Sequence, residues 1–277
     1  MICKIETSKL RMVEIKEVKD ETVGMKSFLF YDELCRVAKP GQFVMVWIPG
    51  VDEVPMSLSF IDDHLLSGIS VENVGAATEA LHSKVVGEVI GIRGPFGSYF
   101  STIKGKVVLV GGGTGIAPLI PLAEALKKSG ANVTFILGFK SSKELVFLDR
   151  VKALLTDKKD RLLVATEDGS CGEKCLATDL LEVLLGRENF EIVYTCGPEL
   201  MMRKVFEVAD RRSISVQVCL ERIVRCGVGL CGSCVMGKFR VCKEGLVLSS
   251  EQIREVLEEF GKYKRDFDGR RIIFKSC

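Results

Sequence analysis

The sequence predicts a β-barrel followed by a doubly wound parallel α/β domain, with a cysteine loop and a short tail at the C-terminal end. Three observations carry this. Short apolar segments with period two, separated by Gly and Pro, occupy residues 1–100. From residue 106 onward, continuous apolar runs alternate with helical stretches. Cys226, Cys231, Cys234 and Cys242 then follow in a C-x4-C-x2-C-x7-C pattern.

A chain of 277 residues suits two domains and a small appendage, here divided as 1–100, 101–218 and 219–277. Its 39 basic and 37 acidic residues leave a net charge of +2, which gives no electrostatic case for nucleic acid or an anionic membrane surface. Residues 1–18 alternate charged and apolar positions and lack the apolar core of a secretory signal. The most apolar window, 107–126, holds four glycines and two prolines, so it reads as strand, loop and helix and not as a membrane span. Eleven cysteines without a signal segment point to a cytoplasmic chain whose thiols serve metal or redox chemistry. Cys171 and Cys175 read as two reduced thiols, with a disulfide as the alternative.

In the first segment, residues 12–18 alternate as a half-buried strand does. Further strands are expected at 26–31, 42–48, 56–60, 68–72 and 89–92, with turns at Pro40-Gly41 and Pro49-Gly50. Evenly spaced short strands indicate a small antiparallel barrel or sandwich. A helix is expected over 78–85, led by Gly75; free N–H groups at such a start suit a phosphate.

In the second segment, the apolar run 107–110 reads as a buried parallel strand. It is followed by the glycine loop Gly111, Gly112, Gly113, Thr114, Gly115 and a helix over 119–128. Strands at 132–137, 161–166, 191–195 and 215–218 alternate with helices at 143–155, 178–185 and 199–211, the pattern of a doubly wound sheet. Ligands of such sheets sit beyond the carboxyl ends of the strands, where the glycine loop and Cys196-Gly197-Pro198 both fall. Two glycine motifs in one crevice favour a nucleotide over a mere packing loop.

Four cysteines at this spacing suit a plant-type [2Fe–2S] cluster, and Gly227, Gly229 and Gly232 allow the chain to fold tightly around it. Zinc and unligated thiols are the alternatives; structural zinc sites favour two separated C-x2-C pairs or added histidine. After the loop, a short helix over 249–260 with a Ser cap and a possible strand at 271–274 read as a lid over it.

The order barrel, nucleotide sheet, cysteine loop resembles the ferredoxin–NADP reductase superfamily, and within it the electron-transfer subunits of class 1B dihydroorotate dehydrogenase. The residues that carry this are Pro55-Met56-Ser57, Gly75 with Ala77 and Thr78, the loop at 111–118, Cys196-Gly197-Pro198 with Met201, Leu220-Glu221-Arg222, the four cysteines and the tail motifs at 260–266 and 269–271. The resemblance implies FAD on the barrel, NAD on the α/β domain and one [2Fe–2S] cluster held by Cys226, Cys231, Cys234 and Cys242. It implies that Val54, Pro55, Met56 and Ser57 lie along the flavin, with Ser70, Val71 and Glu72 on the neighbouring strand and Gly75, Ala77 and Thr78 at the pyrophosphate. The glycine loop and Cys196, Gly197 and Pro198 would frame the nicotinamide. It also implies an FMN-containing dihydroorotate dehydrogenase catalytic subunit as partner, two copies of each chain, electrons delivered to NAD+, and no catalytic acid or base on this chain.

Three departures stand out. Val54 occupies a position where the family commonly has arginine, so the FAD phosphates need another partner, such as helix N–H groups or Lys84. Ala77 stands in a stretch where glycine is frequent. The seven-residue gap between Cys234 and Cys242 also resembles flavin subunits of cytosolic hydrogenases, sulfite reductases and ferredoxin:NADP oxidoreductases. A non-catalytic redox sensor on a degenerate reductase fold is the alternative of a different class.

Overall fold

The computed structural model describes residues 4–62 and 66–274. The ends of the sequence segments discussed above, residues 1–3 and 275–277, lie outside the described residues. A short helix α1 (Lys4–Ser8) leads into β1 (Arg11–Thr22), β2 (Met25–Phe30), β3 (Phe43–Ile48), β4 (Asp52–Phe60), β5 (Ser67–Glu72), α2 (Ala76–His82) and β6 (Val89–Phe96). The six strands close into a barrel of order β1-β2-β5-β4-β3-β6, with every neighbouring pair antiparallel. Period two explains the closure. Val13, Ile15, Phe28, Val44, Val46, Leu58 and Ile69 point inward as one apolar core, and α2 stops the barrel end with Leu81, Ala77 and Ala80.

The second unit runs β7 (Lys106–Gly112), α3 (Leu119–Lys128), β8 (Asn132–Phe139), α4 (Leu148–Leu154), β9 (Arg161–Thr166), the two-residue β10 (Glu173–Lys174), α5 (Ala177–Arg187), β11 (Ile192–Cys196), α6 (Glu199–Asp210) and β12 (Ser215–Cys219). After the cysteine loop come the small hairpin β13 (Val235–Met236) and β14 (Phe239–Arg240), then α7 (Val241–Glu244), β15 (Val247–Ser249), α8 (Ser250–Arg254) and the hairpin β16 (Tyr263–Arg265) and β17 (Arg271–Ile273). The sheet order is β10-β9-β8-β7-β11-β12-β15, parallel except for β15. The chain moves outward from β7 to β10 and returns on the other side at β11, which puts the topological switch between β7 and β11.

Some elements differ from the expectation. The helix expected over 143–155 is confined to α4, preceded by a single 3-10 turn at Ser142–Glu144. Phe147 takes a left-handed φ of 59° while Val146 and Phe147 are buried, so core burial overrides helical continuity there. The strand ending at Cys219 is not the sheet edge, because β15 pairs with it antiparallel. Three apolar residues after Gly245 are too few to show periodicity in sequence. The helix expected over 249–260 is α8 followed by turns, with Ser249 and Gln252 forming its capping box.

A second apolar core is continuous across all three segments. It joins Met25, Phe43, Met45 and Phe96 of the barrel's outer surface to the sheet interior and to Cys234, Met236, Phe239, Val241 and Cys242 beyond the cysteine loop. Polar ties reinforce it. Arg150 on α4 donates to the Ser59 carbonyl on β4 at 3.0 Å and pairs with Glu124 on α3 at 2.9 Å. Arg222, which leads into the cysteine loop, forms a buried fork with Glu199 at the start of α6 (Nη2 to Oε1, 2.7 Å), and Glu199 also accepts the Gly261 N–H at 2.8 Å. Both side chains are only 5% exposed.

Removing one member of that pair leaves a buried charge unpaired. Arg222→Ala is therefore expected to destabilise the chain by ~3–5 kcal/mol, lowering its urea midpoint, while the double variant Arg222→Met with Glu199→Gln recovers most of the loss. Equal midpoints for wild type and Arg222→Ala would contradict the buried-pair account.

Candidate functional site

The cysteine loop has almost no regular structure, and its path depends on three left-handed glycines: Gly227 at φ 73°, Gly229 at 79° and Gly232 at 76°. This backbone turns N–H groups toward sulfur. Leu230 N–H donates to Cys226 Sγ at 3.3 Å, and Cys242 N–H to Cys234 Sγ at 3.4 Å. Burial opposes ionisation of Cys226, but the N–H groups of Cys231, Leu230 and Val228 outweigh it and bring the thiol down to about 6. Cys234 is brought down to about 6 by a hydrogen bond from the Cys242 thiol, against burial and with help from the Cys242 N–H. That shared hydrogen bond, together with burial, pushes Cys242 up.

Cys226 shares a hydrogen bond with Cys231 and Cys234 with Cys242, and the charge of Cys226 also reaches Cys234 and Cys242. Among the described residues, no three ligating side chains converge on one point. Two thiolates for each of two irons is what a [2Fe–2S] cluster requires, so the donor set fits that group. Cys234 and Cys242 are buried, Cys226 is half-buried and Cys231 is exposed beside Leu230, itself 84% exposed. The β16–β17 hairpin lies alongside: Arg225 donates to the Phe267 carbonyl at 2.9 Å, and Phe267 and Gly269 share a small cavity with Gly232 and Ser233. Cys171 and Cys175 are free, half-buried thiols well away in sequence, around β10.

The two strand-end motifs meet at the switch point. Gly111 and Cys196 are register partners on β7 and β11. A Cβ on Gly115 would lie 2.4 Å from the Gly197 nitrogen, and one on Gly197 would lie 2.9 Å from Gly112 N and O. Gly113, at φ 52°, instead faces open space. The crevice thus offers bare backbone at the top of two parallel strands, which fits a dinucleotide. Cys196 is buried, and its thiol is pushed up by a hydrogen bond shared with Cys219 and by burial, so it serves as a small neutral packing group. Thr114 is the second residue of the 3-10 turn Gly113–Ile116, its carbonyl accepting the Ala117 N–H at 3.0 Å.

The barrel residues separate by strand parity. Val54 and Met56 pack on the barrel core and Val71 lies within it, with its carbonyl bonded to His82 Nε2 at 2.8 Å. Pro55 and Ser57 alternate with them and face outward, half-exposed. Ser70 forms a hydroxyl cluster with Ser27 and Ser59, 2.7 Å from each, and Ser27 donates to Glu21 at 2.6 Å. Glu72 and Gly75 are exposed, and a Cβ on Gly75 would meet nothing within 4 Å. The Thr78 hydroxyl is saturated: it accepts from Val74 N and Gly75 N at 2.9 Å each and donates to the Gly75 carbonyl at 2.8 Å. Ala77 packs on the barrel core. Lys84 follows the other end of α2 from Gly75 and pairs with Glu88 at 2.6 Å. The half-exposed strand face beside the open space over Gly75 fits an extended nucleotide such as FAD.

Sequence reasoning missed how the loop meets the barrel. Gly227 sits on β3 and β6, where a Cβ would lie 3.1 Å from Met45 Cγ and 3.2 Å from the Phe96 ring. Arg93, Met45 and Pro55 are register partners across β6, β3 and β4, as are Phe96, Phe43 and Ser57. The two strands under the cysteine loop, β3 and β6, therefore lie one and two interstrand spacings, about 5 and 10 Å, from the strand that presents Pro55 and Ser57. The signal in sequence was only the Arg93-Gly94 step at the end of a strand, and it carries no motif.

Comparison with known proteins gives a consistent family. Residues 109–207 match the model of the oxidoreductase NAD-binding domain, and residues 221–254 match the iron–sulfur cluster binding domain of dihydroorotate dehydrogenase B. A relative from Methanocaldococcus jannaschii, named "Probable dihydroorotate dehydrogenase B (NAD(+)), electron transfer subunit", is 42% identical over 94% of this chain and 97% of its own. A Pyrococcus horikoshii protein of the same name is 40% identical over 94% and 98%. The solved structure of an NADH-dependent reduced ferredoxin–NADP oxidoreductase, a system for flavin-based electron bifurcation, superposes with a TM-score of 0.78 and 30% identity over 90% of this chain and 92% of that one. The FAD/NAD-binding domain of a Vibrio cholerae nitric oxide dioxygenase shares the fold at a TM-score of 0.62 and 24% identity, covering 74% and 94%.

Gly115→Val is expected to force the two strand-end loops apart and to weaken binding of a nicotinamide nucleotide about tenfold or more, as overpacking by ~1–3 kcal/mol implies. Fluorescence titration with NADH measures this, and unchanged affinity would show that the loops do not form a common site.

Proposed function

Because the chain belongs to the family of dihydroorotate dehydrogenase B electron-transfer subunits, we propose that it relays electrons from a dihydroorotate-oxidising, FMN-containing partner to NAD+. The net reaction of the pair is dihydroorotate and NAD+ to orotate, NADH and a proton. The observation that carries the reading is the placement of a paired-thiol loop directly on a barrel face that fits a flavin nucleotide, within one apolar core that also reaches the dinucleotide crevice.

When bound, a [2Fe–2S] cluster would supply single-electron chemistry and FAD the means to pair those electrons as a hydride for NAD+. The chain positions them. Cys226, Cys231, Cys234 and Cys242 would hold the cluster. Outward-facing Pro55 and Ser57 support the flavin, with Val54 and Met56 shaping the strand from the core side; Ser70, Val71 and Glu72 form the adjoining strand. Backbone around Gly75, Ala77 and Thr78 meets the pyrophosphate, and with the Thr78 hydroxyl committed to the helix cap, main-chain N–H groups take that part. Gly111, Gly112, Gly113, Thr114 and Gly115 face Cys196, Gly197 and Pro198 around the nicotinamide nucleotide. No acid or base for the pyrimidine is assigned here, since that chemistry belongs to the partner.

The exposed lip at Leu230 and Cys231 is the natural entry point for electrons, and its apolar tip suits a protein partner. We assign residues 1–100, 101–218 and 219–277 to FAD, NAD and cluster binding respectively, a heterotetramer with two copies of each subunit, and a cytoplasmic location. No described helix is long and apolar enough to cross a membrane.

The test is reconstitution. The anaerobically purified chain is expected to hold one FAD and about two irons, as a single [2Fe–2S] cluster requires. Mixed with the FMN subunit encoded by the same organism, it is expected to support NAD+ reduction that depends on dihydroorotate. Cofactor binding without that activity, but with activity on addition of a hydrogenase or ferredoxin partner, would move the chain to another branch of the superfamily. A chain that binds zinc and no flavin would overturn the reading altogether.

A further inference from the structure

Arg93 occupies a position that no motif singles out. It stands on β6, and its guanidinium arches across β3 to β4, where Nε and Nη2 grip the two carboxylate oxygens of Glu53 at 2.7 and 2.6 Å. The free corner of the fork, Nη1, donates to the Cys226 carbonyl at 3.3 Å. The side chains are only 18% and 26% exposed, so solvent screens this contact less than a surface pair. Beneath the arch lies Met45, the register partner of both Arg93 and Pro55 and the residue on which Gly227 rests. The Phe96 ring lies 5.8 Å from the Arg93 guanidinium and also touches Gly227.

We propose that Arg93, held in its fork by Glu53, is a positioning residue for electron transfer: it fixes the Cys226 end of the cysteine loop against the barrel strand that presents Pro55 and Ser57. The inference rests on the functional reading above for its consequence, though not for its geometry. Glu53 neutralises Arg93, so the clamp adds direction and not net charge. Its planar fork satisfies three acceptor atoms at once, which a lysine ammonium on a flexible stem cannot do with the same rigidity. The carbonyl it holds belongs to a cysteine ligand, so holding it sets where that sulfur points. The loop has no strand or helix of its own between Cys226 and Cys234 to do this. Glu53 immediately precedes Val54, so a single carboxylate links the flavin strand to the cysteine loop through one guanidinium. The clamp makes and breaks no bonds; it sets the gap that single electrons cross.

The experiment compares wild type with Arg93→Gln, Arg93→Lys and Glu53→Gln in the purified full chain. The first readout, amide hydrogen exchange, needs no cofactor. Exchange in residues 226–231 is expected to quicken about tenfold in both Arg93 variants, the scale of one charge-assisted hydrogen bond, with β7 and β8 unchanged. Glu53→Gln, which loosens the fork without removing it, is expected to fall between them and wild type. The second readout is rapid mixing with NADH, in which the rate of iron–sulfur bleaching is divided by the rate of flavin bleaching. That ratio is expected to fall in both Arg93 variants, because a loosened loop widens the gap. Unchanged loop exchange in Arg93→Gln would overturn the proposal, as would an unchanged bleaching ratio in a variant whose loop is loosened. Full rescue of both readouts by Arg93→Lys would also overturn it, since charge alone would then suffice. A wild-type chain lacking flavin and iron would refute the functional reading instead, and loop exchange would still decide whether the clamp exists.

Discussion

The structure depends on holding a nearly shapeless loop of four thiols in a fixed place. Left-handed glycines let that loop bend around its sulfurs, but the same freedom gives it little stiffness of its own. Its position is borrowed from neighbours. Gly227 lies on Met45 and Phe96 without an intervening side chain, the Arg93 fork holds the Cys226 carbonyl, and Cys234 and Cys242 are sunk into the core shared with the sheet. Close packing makes that position rigid, because interiors of crystal-like density do not slide freely.

The same core explains why three sites can work as one. The barrel's inner core is separate and serves only closure, whereas its outer surface at Met25, Phe43 and Met45 belongs to the sheet's core. The strand that presents Pro55 and Ser57 is therefore packed from behind by the barrel, and its neighbour β3 is braced by the other two segments. Arg150 ties α4 to the end of that strand, and the buried pair between Arg222 and Glu199 ties the start of α6, just after Cys196-Gly197-Pro198, to the approach to the cysteine loop. Buried ion pairs are costly to desolvate, and one placed at this junction fixes register between segments more than it adds stability.

Much of this was legible in the sequence because each motif acts through its own backbone. Cysteine spacing marked the donor set, and glycine at two strand ends marked the crevice that the register of Gly111 and Cys196 closes. Parity along strands was readable too, although the motif at 54–57 concealed that only alternate side chains face outward. What could not be read were contacts made across sequence distance. Arg93 and Glu53 are 40 residues apart, and Arg93 and Cys226 are 133 apart, with no pattern linking them. Nor does sequence spacing show that Lys84 pairs with Glu88 beyond the end of α2 opposite Gly75. β15 escaped notice because three residues are too short to carry a period, and α4 lost its expected first turn to the burial of Val146 and Phe147.

The central claim is that the flavin face and the paired-thiol loop of this one chain are electronically continuous. Stopped-flow absorbance of the oxidised, anaerobic chain mixed with NADH, with no partner present, tests it most directly. The expected result is flavin bleaching followed, in the same chain and at a rate independent of protein concentration, by bleaching of the iron–sulfur bands. Flavin that bleaches while the iron–sulfur absorption stays oxidised, or changes only at a rate that rises with protein concentration, would contradict it.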